Sequence, residues 1–181
     1  MSIYLSGVNF TQQAITPTSD AVLYARALTD GILEGCAMTY AGTSLTLAAG
    51  YILAAGREVV VPSSQAVSMN GAVSGYARLV LTVDLTQTAT ETTFRQARLD
   101  VDYANSIGGF SSLQRQAINN GGSVYQVELC VCALGSSGIT SIARRIGKAC
   151  AGSITAGTTD LTDGVSQLDA GTLYVYYETG A

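Results

Sequence analysis

Apolar and polar residues alternate most regularly between Gly75 and Tyr103. Ala77, Leu79, Leu81, Val83 and Leu85 alternate with Arg78, Val80, Thr82 and Asp84. After a Thr- and Gln-rich loop at Thr86–Thr92, Ala97, Leu99, Val101 and Tyr103 alternate with Gln96, Arg98, Asp100 and Asp102. Strand side chains change face at every residue, so the pattern predicts a long antiparallel hairpin with one buried and one wet face. Arg78 and Arg98 are expected on the wet face, paired across the strands with carboxylates in exposed ion pairs worth about 0–1 kcal/mol each.

A second strand-rich stretch, Asp30–Pro62, holds the apolar runs Ile32–Tyr40, Thr43–Ala48 and Glu58–Val61, punctuated by Ala41-Gly42, Gly50 and Gly56. Short runs with such turn residues predict an antiparallel meander or the start of a sandwich. Ser63–Gly75 reads as a loop with a short strand at Ala66–Met69. In Val124–Leu134, strict alternation puts Tyr125, Val127, Leu129, Val131 and Ala133 on one face. Gln126, Glu128, Cys130, Cys132 and Leu134 take the other, whose apolar end needs a cover. Ile139–Ile146 is its expected partner strand. Leu173–Glu178 is a last strand, with Tyr174 and Tyr176 on one face and Val175 and Tyr177 on the other.

Helical spacing is confined to two places. Thr18–Thr29 places Ala21, Tyr24, Ala25 and Leu28 on one face, with Ser19 or Asp20 as cap and Asp30-Gly31 as stop. Ser111–Asn119 is a second candidate, with a small apolar face of Leu113, Ala117 and Ile118. Gly147–Gly171 reads as a loop-rich connection. The fold class is therefore all-β: an antiparallel β-sandwich-like domain with one or two short helices, covering residues 18–181 behind an N-terminal arm of residues 1–17.

Composition adds a tendency to associate. Apolar residues make up 48% and charged residues only 12%, about half the share usual for a soluble domain. A low-charge surface favours burial in an oligomer or a larger particle. The helix face with Tyr24 and Leu28, and the terminal tyrosines Tyr174, Tyr176 and Tyr177, are the candidate oligomer interface, since tyrosine suits a half-buried seam. The same three tyrosines could also stack on sugar rings. The net charge is −4 and the nine bases are scattered, with Arg144-Arg145-Lys148 the one cluster. No nucleic-acid partner is expected from so small a patch. No run approaches the roughly 20 apolar residues of a membrane span, so no membrane insertion is expected. Met1–Gln13 has no basic start of a secretory leader, which implies synthesis in a cytoplasm and reduced cysteines.

The candidate chemistry is sparse. Histidine is absent, which excludes Ser-His-Asp and Cys-His catalysis within one chain. Cys130 and Cys132 share a strand face, but a zinc site needs four ligands and no second pair or histidine supplies them. They read as buried structural cysteines. Asp100, Asp102 and Asp84 read as a solvated face rather than a calcium cage, and Asp160, Asp163 and Asp169 lack EF-hand spacing. No carboxylate pair stands out for glycoside cleavage. Neither an enzyme activity nor a cofactor or metal is expected. Arg57 and Arg144 read as turn arginines bonding backbone carbonyls; the alternative is an inter-subunit contact to Glu34 or Glu178.

Several segments in order resemble the β-rich structural modules of tail-fibre and baseplate proteins from tailed bacteriophages and prophages. They are Asp20-Ala21-Val22-Leu23-Tyr24, Asp30-Gly31-Ile32-Leu33, Gly35-Cys36, Gly50 and Gly56-Arg57. Further on come Tyr125-Gln126-Val127-Glu128-Leu129, Ile139-Thr140-Ser141-Ile142 with Arg144, and Thr172 to Glu178. The resemblance implies a virion protein made in the host bacterial cytoplasm, most simply a homotrimer, contacting other phage structural proteins and acting as an adaptor or attachment module. It leaves two alternatives: a host receptor- or carbohydrate-binding module whose partner is a surface glycan, and a capsid-surface fibre or decoration protein. Only Thr179-Gly180-Ala181 follows Glu178, so no appended receptor-binding tip is expected, and no heptad or Gly-X-Y stalk is present.

Overall fold

The computed structural model describes residues 16–69, 75–90, 92–150, 154–157 and 173–176. Helix α1 spans Pro17–Ala27. Its cap is Thr16, one turn before the expected Ser19 or Asp20. The Thr16 side chain accepts from the Ser19 N–H at 3.1 Å, and the Ser19 hydroxyl accepts from the Thr16 N–H at 2.9 Å. This reciprocal pair, with Pro17 pre-set in the first turn, fixes the start of the helix. The boundary drawn between Pro17 and Thr18 therefore falls inside α1, and the rest of the expected arm, residues 1–15, lies outside the described residues. Gly31 does not adopt the left-handed cap; the helix ends in extended backbone at Leu28.

The stretch read as three apolar runs supplies five strands: β1 (Gly31–Gly35), β2 (Met38–Ala41), β3 (Ser44–Leu47), β4 (Gly50–Ala54) and β5 (Arg57–Val61). The first run is split because Gly35 and Cys36 both have positive φ, +65° and +53°, which turns the chain out of one sheet and into another. β6 (Gln65–Ser68) completes the group near its expected place. Two small antiparallel sheets result, in the orders β1-β4-β5 and β2-β3-β6.

The main sheet is built from β7 (Gly75–Asp84), β8 (Ala97–Ala104), β9 (Val124–Gly135) and β10 (Gly138–Arg144), all antiparallel, in the order β10-β9-β7-β8. The Gly75–Tyr103 hairpin forms as β7 and β8, with Arg78 opposite Asp102 and Leu81 opposite Leu99. One face of this sheet packs on both small sheets. Leu79, Leu81, Leu129 and Cys132 belong to the same buried cluster as Ile52, Val59, Leu45 and Leu47. The described chain is thus an all-β, sandwich-like fold with one α-helix and a single 3-10 turn at Ile107–Gly109.

Strict alternation fails in β9. Leu79 stands opposite Cys130 and Leu81 opposite Val127, so Leu129 forms a bulge. An extra residue shifts side-chain parity. Val127, Cys130, Cys132 and Leu134 therefore share the core face although the sequence puts Val127 on the other. The apolar end that needed a cover is covered by the chain's own small sheets. Both thiols are fully buried, and the hydrogen bond that the Cys130 thiol donates to Cys132, together with burial, raises Cys130 above the ordinary thiol range.

The wet face of the hairpin is also a correction. β7 is central, and Ala77–Asp84 are buried on both sides. Arg78 is 6% exposed, over the Phe110 ring at 4.7 Å. It donates to Asp102 at 2.6 Å, to the Ser111 carbonyl at 2.7 Å and to Glu128 at 3.4 Å. Arg98 stays at the surface, as expected, facing Asp84 at 3.3 Å and Asp100 at 3.1 Å.

The cover over Arg78 is the segment after β8. Its expected helix at Ser111–Asn119 does not form. Gln114 and Gln116 instead bond Gln126 and Val124, at 2.7 and 3.1 Å, along the start of β9, which β10 leaves unpaired. A free strand edge offers backbone bonds that a helix with so small an apolar face cannot match.

Asp84 closes the end of β7. The Thr86 hydroxyl and backbone N–H, Gln87 and Arg98 hold its carboxyl below the ordinary value of 3.8. A depressed carboxyl stabilises the fold above its unfolded value, and that contribution is lost as pH falls through the folded value. Below about pH 4 the wild type should lose stability with falling pH more steeply than Asp84→Asn, measured by urea midpoints across pH 2–6.

The connection Gly147–Gly171 contains a strand, β11 (Ile154–Gly157). It pairs in parallel with β12 (Leu173–Tyr176), Thr155 opposite Tyr174 and Gly157 opposite Tyr176. Among the described residues neither outer edge of this two-stranded sheet is paired.

Candidate functional site

Helix α1 sits on the turn between β4 and β5. Ala55 and Gly56 both have positive φ there, +50° and +76°. A Cβ on Gly56 would land on the Ala21 carbonyl and the Ala25 nitrogen, so glycine is what lets the helix approach. Ala21 is the buried residue of α1. The rest of the predicted face is not buried: Tyr24 is 48% exposed, Ala25 is exposed, and Leu28 is half-buried.

Tyr24 and Leu28 do come together. With Leu33, Leu53 and Arg57 they line a groove of about 560 Å³ between the helix and the outer face of the β1-β4-β5 sheet. Beyond it on the same sheet, Tyr51 (40% exposed) lies opposite Val60 (52% exposed). The result is an apolar surface at the helix edge. Tyr174 and Tyr176 lie on β12 and are described by backbone pairing only; Tyr177 lies outside the described residues.

Arg57 departs from its expected role. Its guanidinium reaches the Thr18 hydroxyl at 3.5 Å rather than a carbonyl, and its buried Nε has no partner among the described residues. Burial lowers its pKa. Arg144 does act as read, donating to the Cys36 carbonyl at 3.1 Å.

The end of the helix opens on a second, more polar cleft of about 860 Å³. Asp30, read in the sequence only as a helix stop, organises it. One carboxylate oxygen accepts the Ala55 N–H and the other the Tyr125 hydroxyl, both at 2.7 Å. Asn119 holds the Ala55 carbonyl at 2.7 Å. One turn residue thereby ties β1, the β4–β5 turn and β9 together. Burial, then Asp30, pushes the Tyr125 phenol above its ordinary value of 10.0. The Arg115 guanidinium lies 5.7 Å from the Tyr125 ring centre, and Arg145 meets Glu128 at 3.5 Å. Local pattern gives no sign of this cluster, because Asp30 and Tyr125 are 95 residues apart.

No family model matches the chain, and no curated protein matches it.

Among the described residues no group of three or more cysteine, aspartate and glutamate side chains could hold a metal ion, and no helix is long and apolar enough to cross a membrane. The two carboxylates of the polar cleft are both engaged: Asp30 as above, and Glu128 between Arg78 and Arg145. Removing the Tyr125 hydroxyl strips Asp30 of one of its two bonds. Tyr125→Phe should destabilise the fold by about 1.5 kcal/mol, the low end for a hydrogen bond to a charged group, because the pair is only partly buried. Thermal unfolding near neutral pH checks this.

Proposed function

We propose that this chain is a structural protein of a tailed-phage or prophage particle, acting as a homo-oligomer, most simply a trimer, in a tail-fibre, baseplate or related surface appendage. The observation that carries the assembly half is the β11–β12 pair. A two-stranded sheet is marginal by itself, and parallel strands are found almost only where both faces are covered. This pair is parallel, and its outer edges are unpaired among the described residues. Copies of the chain that bring their own pairs together supply the cover. The apolar surface of Tyr24, Leu33, Tyr51 and Val60 supports the same reading, since low-charge faces of this kind mark association. The virion half rests on the ordered resemblance of residues 20–178 to tail-fibre and baseplate modules.

The particle itself provides the test. Phage or tail-like particles are purified from a strain carrying the gene and analysed by quantitative mass spectrometry. The chain is expected at a fixed copy number, in multiples of three, relative to the major tail protein. Its absence from particles that are otherwise intact contradicts the proposal.

A further inference from the structure

We infer that the cleft at the C-terminal end of α1 is a binding site for an acidic saccharide chain. The polar cleft of about 860 Å³ continues into a second hollow of about 370 Å³; both are lined by Ala25, Ala55, Arg115 and Tyr125. Together they form one groove with Tyr125 at its middle. Three arginines stand along it: Arg26 at one end, Arg115 over the tyrosine ring, Arg145 at the other end.

The charge distribution singles this groove out. The chain carries a net charge of −4 and only nine basic residues, yet three of the nine line one groove. Its two carboxylates are spent internally, Asp30 on the Ala55 N–H and Tyr125, Glu128 on Arg78 and Arg145. Among the described residues no carboxylate lies within ion-pair distance of Arg26 or Arg115. Arg145 engages Glu128 through Nε, on one side of its fork. Arg115 has only the neutral Tyr125 hydroxyl, at 3.5 Å, as an acceptor. The groove therefore offers planar cationic donors whose charge is not fully matched from within, on a protein of net negative charge.

The ligand chemistry follows from that lining. Guanidinium forks recognise carboxylate or phosphate, and the tyrosine with its flanking apolar wall suits a ring face. A groove holding several sugar-sized units with cationic donors at intervals fits a hydroxyl-rich, regularly anionic chain. Nucleic acid is disfavoured: three arginines give little counterion release, and one aromatic ring gives a single stacking platform. This inference stands apart from the virion proposal. It concerns a groove within one copy and holds whatever particle the chain belongs to.

Isothermal titration of the full chain with α-1,4-linked tri-galacturonate tests it, beside neutral maltotriose, a glycerol-phosphate oligomer and a single-stranded oligothymidylate. Tri-galacturonate is expected to bind, with affinity falling as salt is raised; binding by the glycerol-phosphate oligomer without tri-galacturonate would mean that the groove reads phosphate and not a saccharide, and overturns the inference. Maltotriose should not bind. Arg115→Gln should weaken binding on the order of tenfold, the loss of one charge-assisted contact, and R26Q/R115Q should abolish it. Both side chains are exposed, so the variants should keep the wild-type unfolding midpoint, which serves as the fold control. No binding by either anionic chain, equal binding by maltotriose, tighter binding by oligothymidylate, or undiminished binding by R26Q/R115Q overturns the inference.

Discussion

Replacing Arg78 with Met should cost about 3 kcal/mol, while the same change at Arg98 should cost no more than about 1 kcal/mol. The two arginines occupy equivalent places in the alternating pattern of one hairpin, and both contact carboxylates. What separates them is cover. The Arg78 side chain is 8% exposed and that of Arg98 47%. Arg78 also holds the Ser111 carbonyl and lies over Phe110, so its loss releases the segment that roofs this face of the sheet. Removing one partner of a buried pair leaves the other charged groups short of a counter-charge, here Asp102 and Glu128. The low end of the usual range applies because the Asp102 side chain is 37% exposed. Urea midpoints for both variants give the answer. Equal and small losses would mean that Arg78 is screened by solvent like any surface arginine.

Gly56→Ala should destabilise by about 2–4 kcal/mol, from the left-handed backbone plus the collision with α1. At φ +76° an alanine is strained in any surroundings. Here its Cβ would also meet helix backbone at Ala21 and Ala25, which cannot rotate away as a side chain would. The helix must shift, and with it the shared wall of both grooves. Gly42→Ala is the control: φ is +56° there as well, but nothing lies within 4 Å of the added atom. Its cost should be the strain alone, about 1 kcal/mol. Thermal unfolding compares the two directly, and equal losses would show that α1 does not bear on the turn.

The parts of this fold that could be read from the sequence are those decided within a few residues. The β7–β8 hairpin follows from alternation, α1 from its spacing, and β12 from a tyrosine-rich run. What could not be read was decided by distant partners. The Leu129 bulge exists only against β7, and it alone reverses which side of β9 faces the core. Arg78 looks like a surface residue until the segment around Phe110 and Ser111 folds over it. Ser111–Asn119 has helical spacing, but the free edge of β9 claims its backbone. The candidate site divides in the same way. Tyr24 and Leu28 were found by helical periodicity and do line one groove. Asp30, Arg115 and Tyr125 lie on three separated segments whose meeting no local pattern encodes.

We propose that this chain works as an assembly. Light scattering on a sizing column, at two concentrations a decade apart, measures it most directly. A homotrimer gives one species at three times the 18.7 kDa chain mass, unchanged by dilution. A monomer at both concentrations would contradict it, because the edges of β11 and β12, unpaired among the described residues, and the exposed Tyr24, Tyr51 and Val60 would then be left without the cover that assembly supplies.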